Sequence, residues 1–104
     1  MKIDIKSKDI ELTEPLREYV DNKIGGLDKY LKRFDPSLVR ADVEVSRLTK
    51  HHKTGDVFYA EVNLELPGGF LRATHKDKDI RMAIDKVRDV LQREIRKHKD
   101  KIES

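Results

Sequence analysis

A chain of 104 residues, 37% apolar and 41% charged, without cysteine or tryptophan, is long enough for one domain whose core closes without metals or cross-links. The missing cysteines exclude a disulfide framework, thiol catalysis and thiolate metal sites. No apolar run has the length of a bilayer span or a secretory signal, so no membrane association is expected and the location is read as cytoplasmic.

Met1 to Asp9 alternates, with Ile3 and Ile5 on one face and Lys2, Asp4 and Lys6 on the other, the pattern of a half-buried strand. Thr13 offers an N-cap, Glu14 and Pro15 suit a first helical turn, and Leu12 can staple against the helix. Leu16, Val20, Ile24, Leu27, Leu31 and Phe34 follow at spacings of three and four, which predicts a helix from Glu14 to about Arg33. Gly25-Gly26 marks an irregularity inside it, since each glycine costs about 1 kcal/mol relative to alanine in a helix interior. Asp35-Pro36-Ser37 ends it, because the residue before a proline avoids helical geometry.

Val39, Ala41, Val43 and Val45 then alternate with polar residues, and after a loop (Thr49 to Asp56) Phe58, Ala60, Val62, Leu64 and Leu66 do the same. Pro67-Gly68-Gly69 makes a tight turn, and Phe70 to His75 returns with Leu71 and Ala73 inward. From about Asp77 to Lys101 a long amphipathic helix carries Ile80, Ile84, Val87, Leu91, Ile95 and Ile102 on one stripe, widened by Ala83 and Val90. His98 falls within this stripe as a packing residue. The order β-α-β-β-β-α, with one apolar stripe per helix and one apolar face per strand, predicts an α+β fold. Two helices cover one face of a four-stranded sheet, in a single domain over 1–104. The first β-α-β unit places strands one and two parallel, and the rest is an antiparallel meander. The open sheet face, carrying Asp4, Asp42, Glu44, Glu61 and Glu65, is expected to be acidic and poor at meeting phosphate.

The net charge of +3, from 23 Lys and Arg against 20 Asp and Glu, says little as a total; its distribution matters more. At 100° per residue the first helix sets Glu18, Asp21 and Asp28 on one side and Lys23, Lys29 and Arg33 on the other, beside Tyr19 and Tyr30 and with no carboxylate. The last helix carries ten cations and six acids between Lys76 and Lys101. Lys78, Arg81, Arg88, Arg96 and Lys99 share one flank, broken only by Asp85, and Lys86, Arg93, Lys97 and Lys101 share the other. Such stripes suit a phosphate backbone, whose neutralisation releases condensed counterions. Arginine adds bidentate phosphate contact and can stack on unpaired bases. A solvated helix carrying local pairs such as Asp77 with Arg81 and Asp89 with Arg93 accounts for the same pattern. Periodicity alone leaves the two readings level.

Specific residues add a resemblance. The run Ile10-Glu11-Leu12-Thr13-Glu14-Pro15-Leu16-Arg17-Glu18-Tyr19-Val20 resembles the opening helix of the hibernation-promoting factor and protein Y family. Gly68-Gly69-Phe70-Leu71-Arg72-Ala73 is similar to that family's glycine turn and final strand. Asp79-Ile80-Arg81-Met82-Ala83-Ile84-Asp85 resembles its Asp-Met-Tyr-x-Ala-Ile-Asp start of the last helix. The terminal Arg96-Lys97-His98-Lys99-Asp100-Lys101 is similar to its basic end, and together these pieces cover almost the whole chain.

The resemblance implies a fold related to double-stranded RNA-binding domains. It also implies a non-enzymatic factor of ribosome hibernation, a translation inhibitor tied to stress and stationary phase. Its partners would be the small ribosomal subunit and its ribosomal RNA, contacted by basic helix residues in the channel for messenger and transfer RNA. Carried onto this chain, the contacts are Lys23 and Lys29 on the first helix and Lys78, Arg81, Lys86, Arg88, Arg93, Arg96 and Lys97 on the second. No cofactor, metal or small-molecule substrate is implied, and the chain is expected to be monomeric off the ribosome. It departs from the family at Arg81, where tyrosine is usual, and at Gly26, where lysine is frequent. The chain resembles the family's short form, which lacks the dimerising domain of long members, or else a piece of a longer chain.

Other constellations carry less. Adjacent His51 and His52 point apart and lack acidic or cysteine partners at ligand spacing, although Lys50-His51-His52-Lys53 could touch RNA as a basic loop. The strand carboxylates have no pocket to raise a pKa, and no phosphate-cradling glycine motif or serine nucleophile signature is present. Tyr19 and Tyr30 read as half-buried rim residues. Beside the ribosome reading stand a generic structured-RNA-binding module acting off the ribosome and a protein-interaction domain using the sheet's outer face or edge.

Overall fold

The computed structural model describes residues 1–48 and 55–103. The elements are β1 (Lys2–Lys8), α1 (Glu14–Gly25), β2 (Arg40–Leu48), β3 (Val57–Leu66), β4 (Gly69–Asp77) and α2 (Ile80–Glu103), with 3-10 turns at Gly26–Tyr30 and Pro36–Leu38. Their order is the expected β-α-β-β-β-α. Lys50, His51, His52 and Lys53 lie outside the described residues.

The sheet runs β1-β2-β3-β4, with β1 parallel to β2 and the other neighbours antiparallel. Register aligns the apolar positions row by row: Ile3, Ala41, Leu64 and Leu71 in one, Ile5, Val43, Val62 and Ala73 in the next. Because side chains alternate across a strand, one face collects all of these. α1 and α2 cover it together and touch each other. Leu16, Val20, Ile24 and Leu27 from the first helical segment meet Ala83, Ile84, Val87, Leu91 and Ile95 from α2 in one apolar cluster.

Local chemistry sets the helix ends. The Thr13 hydroxyl accepts from the Leu16 backbone N–H at 3.3 Å and Pro15 occupies the first turn, as expected. The first helix is shorter than the periodicity implies, because α-helical geometry stops at Gly25 and a 3-10 turn carries the chain to Tyr30. The apolar spacing survives, since Leu27, Leu31 and Phe34 stay buried. Asp35 accepts from the Ser37 backbone N–H at 3.0 Å, and this bond holds its carboxyl below the usual range. α2 begins at Ile80, three residues later than the sequence expectation, and the Asp79 carboxylate accepts from the Arg81 N–H at 2.8 Å.

The outer sheet face corrects one expectation. Asp4, Asp42, Glu44, Glu61 and Glu65 share it with Lys2, Lys6, Lys8, Arg40, Arg72 and Lys76, so it is of mixed charge rather than acidic. Arg40 reaches Asp4 at 2.8 Å and Asp42 at 3.3 Å, while Arg72 reaches Glu61 at 2.8 Å. Glu61 also accepts from Tyr59 and Asn63, and these donors, Tyr59 first, hold its pKa down.

At the β3–β4 turn the His98 ring confirms its packing role and adds a polar one, with Nε2 3.0 Å from the Pro67 carbonyl. Gly68 has φ +93°, and a Cβ there would lie 3.2 Å from the His98 ring. Gly68→Ala therefore combines left-handed backbone strain with a steric push on His98, and is expected to cost about 1–2 kcal/mol. A thermal melt should show a fall in Tm on the order of 10 °C; an unchanged Tm would mean that the turn relaxes freely.

Candidate nucleic-acid interface

The two charge-sorted flanks of the helices meet in a shallow cleft. Tyr19 on α1 donates its hydroxyl to Asp85 on α2 at 2.6 Å, and Lys23 stands 3.7 Å from the same carboxylate. The Arg81 guanidinium carbon lies 4.7 Å from the Tyr19 ring centroid and the Lys23 ammonium 5.6 Å from it. Burial first, and then the Asp85 hydrogen bond, push the Tyr19 hydroxyl up to about 12. At neutral pH the proton therefore stays on Tyr19 and Asp85 is the acceptor. The first helix's cationic flank, free of carboxylates in the sequence, thus receives one from α2.

Further along, Arg88 donates to Gln92 at 3.1 Å and lies 3.5 Å from Asp89. Tyr30, Gln92, Ile95, Arg96, Lys99 and Asp100 line the cleft's far end, a hollow of ≈ 250 Å³. Lys99 closes it by donating to the Tyr30 carbonyl at 3.1 Å, and Lys29 sits 5.2 Å from the Tyr30 ring centroid. Tyr19 and Tyr30 are both half-buried, as expected of rim residues.

The nine candidate cations therefore divide by position. Lys23, Arg81, Arg88 and Arg96 gather along the cleft, whereas Lys29 lies beside a separate hollow with Asp28, Leu31 and Phe34. Lys86, Arg93 and Lys97 lie exposed on the other flank of α2, and Lys78 precedes the helix. Among the described residues Lys29, Lys78, Arg81, Lys86, Arg93 and Arg96 are exposed and make no ion pair. Lys97 is 3.5 Å from Glu94 with 74% of its side chain exposed, a pair of little strength. The local pairs of a merely solvated helix, Asp77 with Arg81 and Asp89 with Arg93, do not form: Asp77 faces His75, and Asp89 faces Arg88. Lys99 and Gln92 belong to the cleft as well. Lys99 was legible on its flank, whereas Gln92, being uncharged, left no signal in a charge pattern.

The arrangement can hold and orient anions. Among the described residues no three metal-ligating side chains converge, and no helix is long and apolar enough to cross a membrane. A hollow of ≈ 620 Å³ is an open trough on the outer sheet face lined by Asp4, Lys6, Arg40, Asp42, Glu44 and Glu61 among others.

Comparison with known proteins converges on one family. The family model described as sigma 54 modulation protein / S30EA ribosomal protein matches residues 3–103. A ribosome hibernation promotion factor of Deinococcus radiodurans is 37% identical over 91% of this chain and 47% of its own length. The ribosome hibernation promoting factor of Escherichia coli K12 is 32% identical over 98% of this chain and 97% of its own. This chain thus spans about half of the Deinococcus relative and nearly all of the Escherichia one. Among solved structures, the N-terminal domain of Thermus thermophilus protein Y superposes with a TM-score of 0.77 at 30% identity, over 93% of this chain and 98% of that one. With a model match over almost its whole length, the chain belongs to the sigma 54 modulation protein / S30EA ribosomal protein family.

Proposed function

We propose that this chain is a ribosome hibernation factor. In this reading it binds the small ribosomal subunit in the channel for messenger and transfer RNA and inhibits translation by occupying it, without catalysis. The observation that carries the reading is the cleft: Lys23 from α1 and Arg81, Arg88 and Arg96 from α2 line it, and among the described residues Arg81 and Arg96 are exposed and have no acid partner. Each phosphate met there releases counterions, so binding draws its free energy from salt-dependent contacts spread over the surface. The names of the relatives supply the ribosome as partner. The residues assigned to ribosomal RNA are Lys23, Arg81, Arg88 and Arg96 along the cleft and Lys29, Lys78, Lys86, Arg93 and Lys97 outside it.

The test is co-sedimentation with purified small subunits across a salt series. The protein should travel with the subunit at low salt, and log affinity should fall linearly with log salt, by roughly 0.7–0.9 per phosphate contacted. Absence from the small-subunit fraction at low salt would refute the reading. Equal preference for subunits and bulk duplex RNA would instead favour a general RNA-binding module acting off the ribosome.

A further inference from the structure

Asp85 breaks the basic run along the cleft, lying one helical turn beyond Arg81 and just before Arg88. A carboxylate at the edge of such a surface could swing aside when RNA arrives. This one cannot do so freely, because the Tyr19 hydroxyl grips it at 2.6 Å from the other helix. Its charge is also only partly offset. Lys23 stands off at 3.7 Å with 41% of its side chain exposed, and Asp85 itself keeps 32% of its side chain open to solvent. The neighbouring Arg81 makes no ion pair with it and lies instead against the Tyr19 ring.

We propose that Asp85 is a specificity-determining residue: its fixed carboxylate bars a continuous phosphate strand from running the length of the cleft, and so selects against plain duplex RNA. A strand laid from Arg81 to Arg88 has to pass over Asp85, and juxtaposed like charges are a strong means of rejecting a wrong partner. RNA whose phosphates reach Arg81 and Arg88 from separate backbone segments leaves Asp85 uncovered and escapes the penalty. A folded ribosomal RNA surface can present such segments, whereas a regular duplex presents its backbones without interruption. This rests on the proposed reading of the cleft as an RNA-binding surface.

The test compares the full-length protein with Asp85→Asn, which keeps an oxygen to accept from Tyr19 while removing the charge. Asp85→Ser serves as a second variant, and thermal melts confirm that each is folded. Two ligands are titrated at one salt concentration: purified small ribosomal subunits and a fully paired RNA of about 20 base pairs, longer than one such domain spans. Duplex affinity should rise on the order of tenfold in both variants, and small-subunit affinity should stay within about twofold. Tyr19→Phe, which frees the carboxylate but keeps its charge, should give a smaller duplex gain. Unchanged or weaker duplex binding by both folded variants, or an equal gain for both ligands, would overturn the role of Asp85. Failure of the unmodified protein to bind subunits would instead overturn the proposed function, since the duplex comparison is read separately.

Discussion

Reversing two charges, Arg88→Glu with Arg96→Glu, is expected to abolish binding to the small ribosomal subunit at low salt while leaving the circular dichroism spectrum unchanged. The two residues stand eight apart on α2, about 12 Å along its axis, on the flank that faces α1. Arg96 is exposed at the hollow beside Tyr30 and Lys99. Arg88 keeps 21% of its side chain open, and among the described residues it bonds Gln92 at 3.1 Å and lies 3.5 Å from Asp89. Neither arginine belongs to the apolar core, so the fold should survive their loss at about 1 kcal/mol for half-buried Arg88 and about 0.5 kcal/mol or less for exposed Arg96. Binding should not. Each reversal removes a phosphate contact and adds a repulsion, and the pair should lower affinity by at least about a hundredfold. Whatever binding remains should show a salt slope reduced by about 1.4–1.8. A folded double variant that still sediments with subunits would move the contact surface off this flank. Lys86→Glu with Lys97→Glu, on the other flank, then tells whether that stripe takes part.

Much of this surface could be read before folding, and the unread part has a definite physical origin. Helical periodicity placed Arg81, Arg88 and Arg96 on one flank and Lys86, Arg93 and Lys97 on another, because positions on a single helix follow from its turn angle alone. It could not say that the flank of α1 carrying Lys23 and Tyr19 would close against the flank of α2 carrying Asp85. That contact depends on how two helices settle on one sheet, and it turns an apparent gap in the basic stripe into a hydrogen-bonded tie. The 3-10 turn at Gly26–Tyr30 was hidden for a different reason. The spacing of three from Ile24 to Leu27 fits both α and 3-10 geometry, and only the glycine pair marks the place.

The outer sheet face is of mixed charge although an acidic one is expected, and the signal for this is present in the sequence. Strand parity that puts Asp4, Asp42, Glu61 and Glu65 outward also puts Lys2, Lys6, Arg40, Arg72 and Lys76 there, so an acidic face never followed from the pattern. What parity does not contain is the cross-strand partnering. Parallel register sets Asp4 beside Asp42, within reach of Arg40 on the same strand as Asp42, and antiparallel register sets Arg72 beside Asn63 and near Glu61. Neutralised in this way, the outer face keeps no strong sign of charge, and the contrast with the helical side is weaker than expected. The helical side therefore owes its character to its own unpaired cations rather than to a repelling opposite face.

Leu91→Ala should do the reverse of the charge reversal, lowering stability by about 2–5 kcal/mol while leaving the intrinsic affinity of the folded fraction nearly unchanged. Leu91 is fully buried on the stripe by which α2 packs against β3 and β4. Truncation removes its transfer free energy and leaves a cavity among Ile84, Val87, Ile95 and the strand residues, which rigid neighbours refill only in part. A domain of this size commonly has about 5–15 kcal/mol in all, so the variant should unfold at a markedly lower urea midpoint with an unchanged slope. Subunit binding below the transition should persist, because Arg88 and Arg96 still project from an intact helix, and subunits should in turn raise the apparent midpoint by mass action. A variant that is stable but cannot bind, or one whose midpoint does not respond to subunits, would break this separation. Either result would show that α2 does not act as a rigid rail whose buried side sets stability and whose charged side sets affinity.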